Sequence, residues 1–210
     1  MDARSKMVAE QIEARGVRDP RVLDALVRVP RERFVPDAQR SAYEDRPLPI
    51  GFGQTISQPY IVGYMTEALR VEPSHRVLEI GTGCGYQTAV LAELANQVYS
   101  IEVLAVLAER ARRTLDGLAY TNVEIRVGDG YGGWPEQAPF DRILAAAAPP
   151  EIPPALLDQL ADGGILVIPV GVDNQELRVL HKHADRLELL STLPVRFVPM
   201  IRPGAAPDGA

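Results

Sequence analysis

Cysteine is nearly absent: Cys84 stands alone among 210 residues. No intramolecular disulfide can form, and a cysteine-based metal site is excluded. Basic charge is also in deficit, with 22 Lys and Arg against 28 Asp and Glu, for a net charge of −6. A sequence-independent grip on phosphates needs the opposite sign, so no nucleic-acid partner is expected. No run approaches the roughly 18 apolar residues of a membrane span, so no membrane partner is expected either. The opening MDARSKMVAEQIEARG mixes acids and bases without an apolar core, unlike a signal peptide. The expected location is cytoplasmic. Internal repeats are lacking as well.

Hydrophobic residues make up 46% and charged residues 24%, a globular balance that excludes a disordered or fibrous chain. A chain of this length buries roughly 70% of its unfolded surface, enough to fold without staples. One domain over residues 1–202 is expected, with helices and a long loop in 1–70, an α/β core in 75–200 and a disordered tail at 203–210.

Met7, Val8, Ile12 and Val17 follow helical spacing, with Gly16 as a stop. Asp19-Pro20 reads as an N-cap and first-turn proline for a second helix ending at Pro30. From Phe34 to Pro59 turn formers dominate, and long loops inside compact domains tend to be functional. A helix follows over 60–70. Short apolar runs then alternate with helices: strands at 76–80, 98–101, 123–127, 142–145 and 165–168, helices at 86–95, 104–116 and 154–161. That alternation predicts a parallel, doubly wound sheet. Residues 176–200 read as strands around a turn at Ala184-Asp185, an antiparallel edge.

The first strand runs into Gly81-Thr82-Gly83-Cys84-Gly85-Tyr86. Such glycines let a backbone turn sharply and approach a ligand at a topological switch point. A tight strand-to-helix turn without a ligand fits them equally well. Tyr86 stands where a dinucleotide fingerprint needs its third glycine, which disfavours a nicotinamide oxidoreductase. Glu79 precedes the loop, and Glu102 ends the second strand about 20 residues on, where an acid binds ribose hydroxyls. Gly128-Asp129-Gly130 ends the third strand, where a carboxylate can accept from an adenine amino group. Together they describe an adenosine site without a pyrophosphate clamp. Cys84 is read as structural. His181 and His183 share one strand face, but without a third ligand nearby no metal is expected. His75 carries no pattern.

Val77 to Gly85 resembles the first motif of class I S-adenosylmethionine-dependent methyltransferases. Members acting on exocyclic amines place Asn or Asp where this chain has Ala148, so an amine acceptor is disfavoured. Tyr43-Glu44-Asp45 and Leu48 to Tyr60, with GQTISQP at its centre, resemble the signature of the protein-L-isoaspartate O-methyltransferases. The likeness continues in Val29–Pro36, Ala148–Leu156 and Val195–Pro199, and covers about residues 5–200. Phe52 and the added Pro150 depart from the family pattern.

The resemblance implies a Rossmann-like sheet with helices on both faces and an antiparallel C-terminal edge. It implies methyl transfer from S-adenosylmethionine, leaving S-adenosylhomocysteine, to the α-carboxylate of L-isoaspartyl residues in damaged proteins, with D-aspartyl residues poorer substrates. The ester then collapses to a succinimide without the enzyme. Ser57 would stand at the reacting centre, with Thr55 and Ile56 beside the donor. Glu79, Gly81, Thr82, Gly83 and Gly85 would line its amino-acid moiety, Glu102 and Val103 the ribose, and Asp129 with Gly130 the adenine. Val195, Arg196, Phe197 and Val198 would border the peptide. A monomer without metal is implied. By its residues alone, Ser57 before Gln-Pro-Tyr also fits a helix N-cap. A carboxylate methyltransferase specific for one peptide, or a non-catalytic adenosine-binding module, stays open.

Overall fold

A computed structural model describes residues 2–35, 40–184 and 186–204. Pro36, Asp185 and positions 205–210 of the expected tail lie outside the described residues.

The first helix, Ala3–Met7 (α1), passes through a π turn at Val8–Ile12 and a 3-10 turn at Glu13–Arg15. It ends at Gly16, whose φ of 105° is a left-handed stop. Pro20–Arg28 (α2) begins as its sequence predicts, the Asp19 carboxylate accepting from the Arg21 N–H at 2.8 Å. The stretch expected as loop contains an antiparallel hairpin, Leu48–Gly51 (β1) and Gln54–Ile56 (β2). Gly51, Phe52 and Gly53 all have positive φ and make its turn. Two glycines in a proline-rich stretch hide the strands from a periodicity reading. Pro59–Leu69 (α3) follows, with its proline in the first turn.

Strands Arg76–Ile80 (β3), Gln97–Glu102 (β4), Val123–Val127 (β5), Phe140–Ala145 (β6) and Leu160–Val170 (β7) alternate with helices Tyr86–Ala92 (α4), Ala105–Gly117 (α5) and Pro154–Gln159 (α6). Gln175–His183 (β8) and Arg186–Val195 (β9) complete a sheet ordered β5-β4-β3-β6-β7-β8-β9. The pairs from β5 to β7 are parallel, and β8 and β9 run antiparallel, as the chain's spacing predicts. The central strands are apolar on both faces: Val77, Leu78, Val98, Ile143 and Leu144 are fully buried.

One face of the sheet packs against a core that includes Ile12, Leu26, Val62, Leu69 and Leu91. The other packs against Trp134, Leu156 and Met200. No described helix is long and apolar enough to cross a membrane. The strand order reverses beside β3: the chain moves out to β4 and β5, then returns to β6 on its other side. The carboxyl ends of β3 and β6 flank the crevice where such sheets bind ligands.

Candidate active site

At that crevice Gly81 and Gly83 turn the chain off β3 with φ of 90° and 55°. The Gly81 N–H donates to the Ile101 carbonyl at 2.8 Å and the Gly85 N–H to the Thr82 carbonyl at 2.8 Å. The Gly83 N–H donates to the Glu102 carboxylate at 2.7 Å. These three glycine amides are therefore spent inside the protein and do not face a ligand phosphate.

A cavity of about 790 Å³, its mouth included, opens over the loop. Gly81, Thr82 and Gly83 form its floor, and Glu102 and Val103 one wall. Ile80, Ile101 and Met200 make it apolar, and Thr55, Ile56 and Ser57 close one side. Gly130 belongs to the same lining, tucked so tightly that a Cβ there would meet Ile80 at 2.4 Å. Glu102 is 4% exposed and has no basic partner among the described residues. Its second oxygen accepts from the Leu104 N–H at 3.0 Å. Burial raises its pKa, and the backbone N–H groups of Leu104 and Gly83 oppose that rise. Each oxygen keeps capacity to accept from a ligand hydroxyl.

Three expected residues lie elsewhere. The Glu79 carboxylate is wholly buried behind the loop, accepting from Thr88 and Ser100 at 2.5 and 2.7 Å. Ser100 in turn bonds Thr82 at 2.6 Å, so Glu79 reaches the cavity floor only through two hydroxyls. Gly85 is also absent from the lining, since its backbone packs toward Ala111 and Leu115 of α5. Asp129 is absent too. Its carboxylate caps the 3-10 turn at Gly130–Gly132 and meets Arg202 at 2.8 Å. Cys84 does line the cavity, and burial pushes its thiol up to about 11, consistent with a structural role.

A second, outer groove is lined by Val195, Arg196, Phe197 and Val198 along one side. It shares Thr55, Ser57, Ala146 and Val198 with the inner cavity. Ser57 therefore stands on the partition between the two. The residue at the N-cap of α3 is Gln58, not Ser57, and the Ser57 hydroxyl makes no hydrogen bond among the described residues. The helix-cap reading of Ser57 falls with that observation.

The partition is held by residues from the first 60 positions. Arg31, fully buried, donates from Nη2 to the Ser57 carbonyl at 2.8 Å and from Nε to the Ala42 carbonyl at 2.7 Å. Its guanidinium lies 4.8 Å from the Tyr86 ring and has no carboxylate partner among the described residues. Burial pushes its pKa below the ordinary value. Gln58 donates to the Asp45 carbonyl and carboxylate at 3.0 and 2.9 Å, and Arg15 grips the same carboxylate at 2.6 Å. On the opposite side the Gln175 side chain clasps the Phe197 backbone, accepting from its N–H at 2.6 Å and donating to its carbonyl at 3.1 Å. The Ala148 N–H donates to the Val198 carbonyl at 2.9 Å. Residues 196–198 are thus an irregular segment pinned to the segment after β6, rather than the strand their sequence predicts.

Sequence reasoning missed Ala146, Met200 and Ile201 on the inner cavity, and Arg31 and Gln175 behind it. The run of four alanines from the end of β6, Ala145 to Ala148, carries no chemical signal. Arg31 does lie inside a motif singled out above, VPRERFVP, and was the one legible pointer.

The sequence profile described as Protein-L-isoaspartate(D-aspartate) O-methyltransferase (PCMT) matches residues 2–203. A Picosynechococcus protein named protein-L-isoaspartate O-methyltransferase is 59% identical over 198 residues, covering 94% of this chain and 89% of its own. A protein of the same name from Serratia proteamaculans is 50% identical, covering 96% and 98%. A solved protein-L-isoaspartate O-methyltransferase superposes with a TM-score of 0.85 at 29% identity, over 93% of this chain and 65% of that longer one. A Plasmodium falciparum structure in complex with S-adenosyl-L-homocysteine shares the fold, with a TM-score of 0.82, 24% identity and coverage of 96% and 100%.

Proposed function

The chain belongs to the protein-L-isoaspartate(D-aspartate) O-methyltransferase family, and from that premise we propose that its two adjoining cavities bring a methyl donor and a protein carboxylate together across Ser57. The enzyme is an S-adenosylmethionine-dependent methyltransferase, and its substrates are proteins and peptides containing isoaspartyl residues. The single observation that carries the assignment of roles is the unengaged Ser57 hydroxyl on the wall common to both cavities.

The inner cavity fits the donor on its own chemistry. Glu102 offers carboxylate oxygens where ribose hydroxyls need acceptors, and Ile80, Ile101 and Met200 offer apolar surface to a purine. The Gly81, Gly83 and Gly85 amides are already engaged inside the protein and are not offered to a pyrophosphate, which argues against a dinucleotide. When bound, S-adenosylmethionine supplies an electrophilic methyl group.

The acceptor asks little acid–base chemistry of the protein. A carboxylate with an ordinary pKa near ~4 is ionised at neutral pH and needs no general base. The task left to the chain is desolvation and orientation. In our reading Ser57 donates a hydrogen bond to the acceptor carboxylate and fixes one oxygen, while Arg31 fixes the Ser57 backbone. Arg196, Phe197 and Val198 border the peptide in the outer groove. The first 60 residues serve to hold the partition between the two cavities. The assay is methyl transfer to an isoaspartyl peptide beside its ordinary aspartyl twin. Base-labile label on the isoaspartyl peptide alone is expected; equal labelling of both, or of neither, rejects the reading.

A further inference from the structure

His181 and His183 alternate along β8, so both imidazoles stand on one face of the sheet. In the antiparallel ladder to β9, His181 lies opposite Glu188. Residues opposed in a ladder share a face, so Glu188 joins the pair. The ligand atoms of all three lie within 4.8 Å of one another. The imidazole centroids are 3.7 Å apart, and His183 Nε2 is 3.6 Å from Glu188 Oε2. The third ligand that the sequence did not offer comes from across the hairpin.

From this cluster we propose that the β8–β9 hairpin binds one divalent transition-metal ion of the zinc class, through one imidazole nitrogen of each histidine and one carboxylate oxygen of Glu188. Two imidazoles select zinc, copper or nickel over calcium and magnesium, which require mostly oxygen ligands. Zinc bonds of about 2.0–2.1 Å in a tetrahedron set ligand atoms roughly 3.3 Å apart. The observed spacing closes to that by side-chain rotation, because His183 and Glu188 are exposed while the ladder holds their backbones. Three protein ligands leave the fourth position to water. Arg186, opposite His183, is the cation that shares this face and weakens the site. The cluster sits at the turn end of β9, and Val195 at its other end borders the outer groove. The ion is therefore a clip across the edge hairpin, apart from methyl transfer.

The test is a zinc chloride titration of the full chain, stripped with a chelator, followed by calorimetry and by the histidine imidazole resonances. One equivalent at micromolar affinity is expected, shifting His181 and His183 but not His75. Glu188→Gln, an exposed change that leaves the fold intact, should weaken binding about 10-fold or more, in the range known for ligand-shell changes. His181→Ala with His183→Ala should abolish it, and Arg186→Gln should tighten it. Metal-free variants should keep the parent's methyl-transfer rate, which separates this proposal from the assignment of the cavities. Absence of saturable binding overturns the proposal. So does an undiminished stoichiometry in the double variant, which would put the zinc on His75 or Cys84.

Discussion

Replacing Glu79 by Gln tests whether the carboxyl behind the glycine loop is a buried acid. In the fold its pKa is raised to about 7 from an ordinary 4.5, chiefly by burial, against the hydrogen bonds from Ser100 and Thr88. Oε2 receives both hydroxyls, and Oε1 is buried without a partner. The folded state therefore binds a proton that the unfolded chain releases from about pH 4.5 upward. The resulting stability is fully present below pH 4.5 and is lost as pH rises through about 7. At about 1.4 kcal/mol per pKa unit, the loss across that window is about 3 kcal/mol. Glutamine cannot ionise. Its carbonyl can accept from Thr88 and Ser100, but its amide then faces the site where Oε1 lacks a partner, at a cost of about 1–3 kcal/mol. Absolute stability is thus a poor readout, and the pH slope is the useful one. Urea unfolding of both proteins from pH 4.5 to 8 should show Glu79→Gln gaining on the parent by about 3 kcal/mol, most of it below pH 7. Glu102 also carries a raised pKa. Its repulsion of an ionised Glu79 is one of the causes of the Glu79 shift, so that repulsion belongs to the difference being measured. Parallel curves at every pH would refute the argument.

Glu102→Gln should weaken S-adenosylhomocysteine binding by about 1–3 kcal/mol in calorimetry, since the amide donates where the ligand also donates. Unchanged affinity in a folded variant removes Glu102 from the site. Ser57→Ala should lower kcat about 10–10³-fold while leaving S-adenosylhomocysteine affinity nearly unchanged. Its pH–rate profile should run parallel to the parent's from pH 6 to 8; a unit slope present in the parent and lost in the variant would mean that Ser57 takes part in proton removal. Arg31→Lys keeps the charge but loses the forked contact to the Ser57 and Ala42 carbonyls. It should cut kcat more than it raises donor KM, and equal losses in both, with a fallen Tm, would leave Arg31 as a fold residue only.

The parts of this molecule legible in its sequence are those whose signal is local. Alternating apolar runs set the five parallel strands, and glycines at fixed spacing set the turn after β3. An acid at the end of β4 was legible because strand ends and switch points have fixed places in a doubly wound sheet. Glu79 and Asp129 show where that logic stops. Both stand beside strand ends, yet one side chain turns into the core and the other caps a 3-10 turn and meets Arg202. A residue's position along a strand fixes which face it takes, but the partner that captures it is decided by contacts distant in sequence. Arg202 lies far along the chain from Asp129, and no spacing rule connects them.

The same distinction explains the division of labour around Ser57. A hydroxyl that orients a carboxylate has to be free of other partners, so its own side chain cannot supply the rigidity that positioning needs. The chain provides that rigidity through the backbone instead. Arg31 holds the Ser57 carbonyl, Asp45 holds Gln58 and the Tyr60 N–H, and the proline after Gln58 starts α3. The two hydrogen-bonding anchors are an arginine and a carboxylate, groups able to make several hydrogen bonds at once. Placing an uncompensated guanidinium in a buried wall is costly, as its lowered pKa records. That cost is explicable if the wall faces a site built for carboxylates, where a buried positive charge favours the ligand that the function requires.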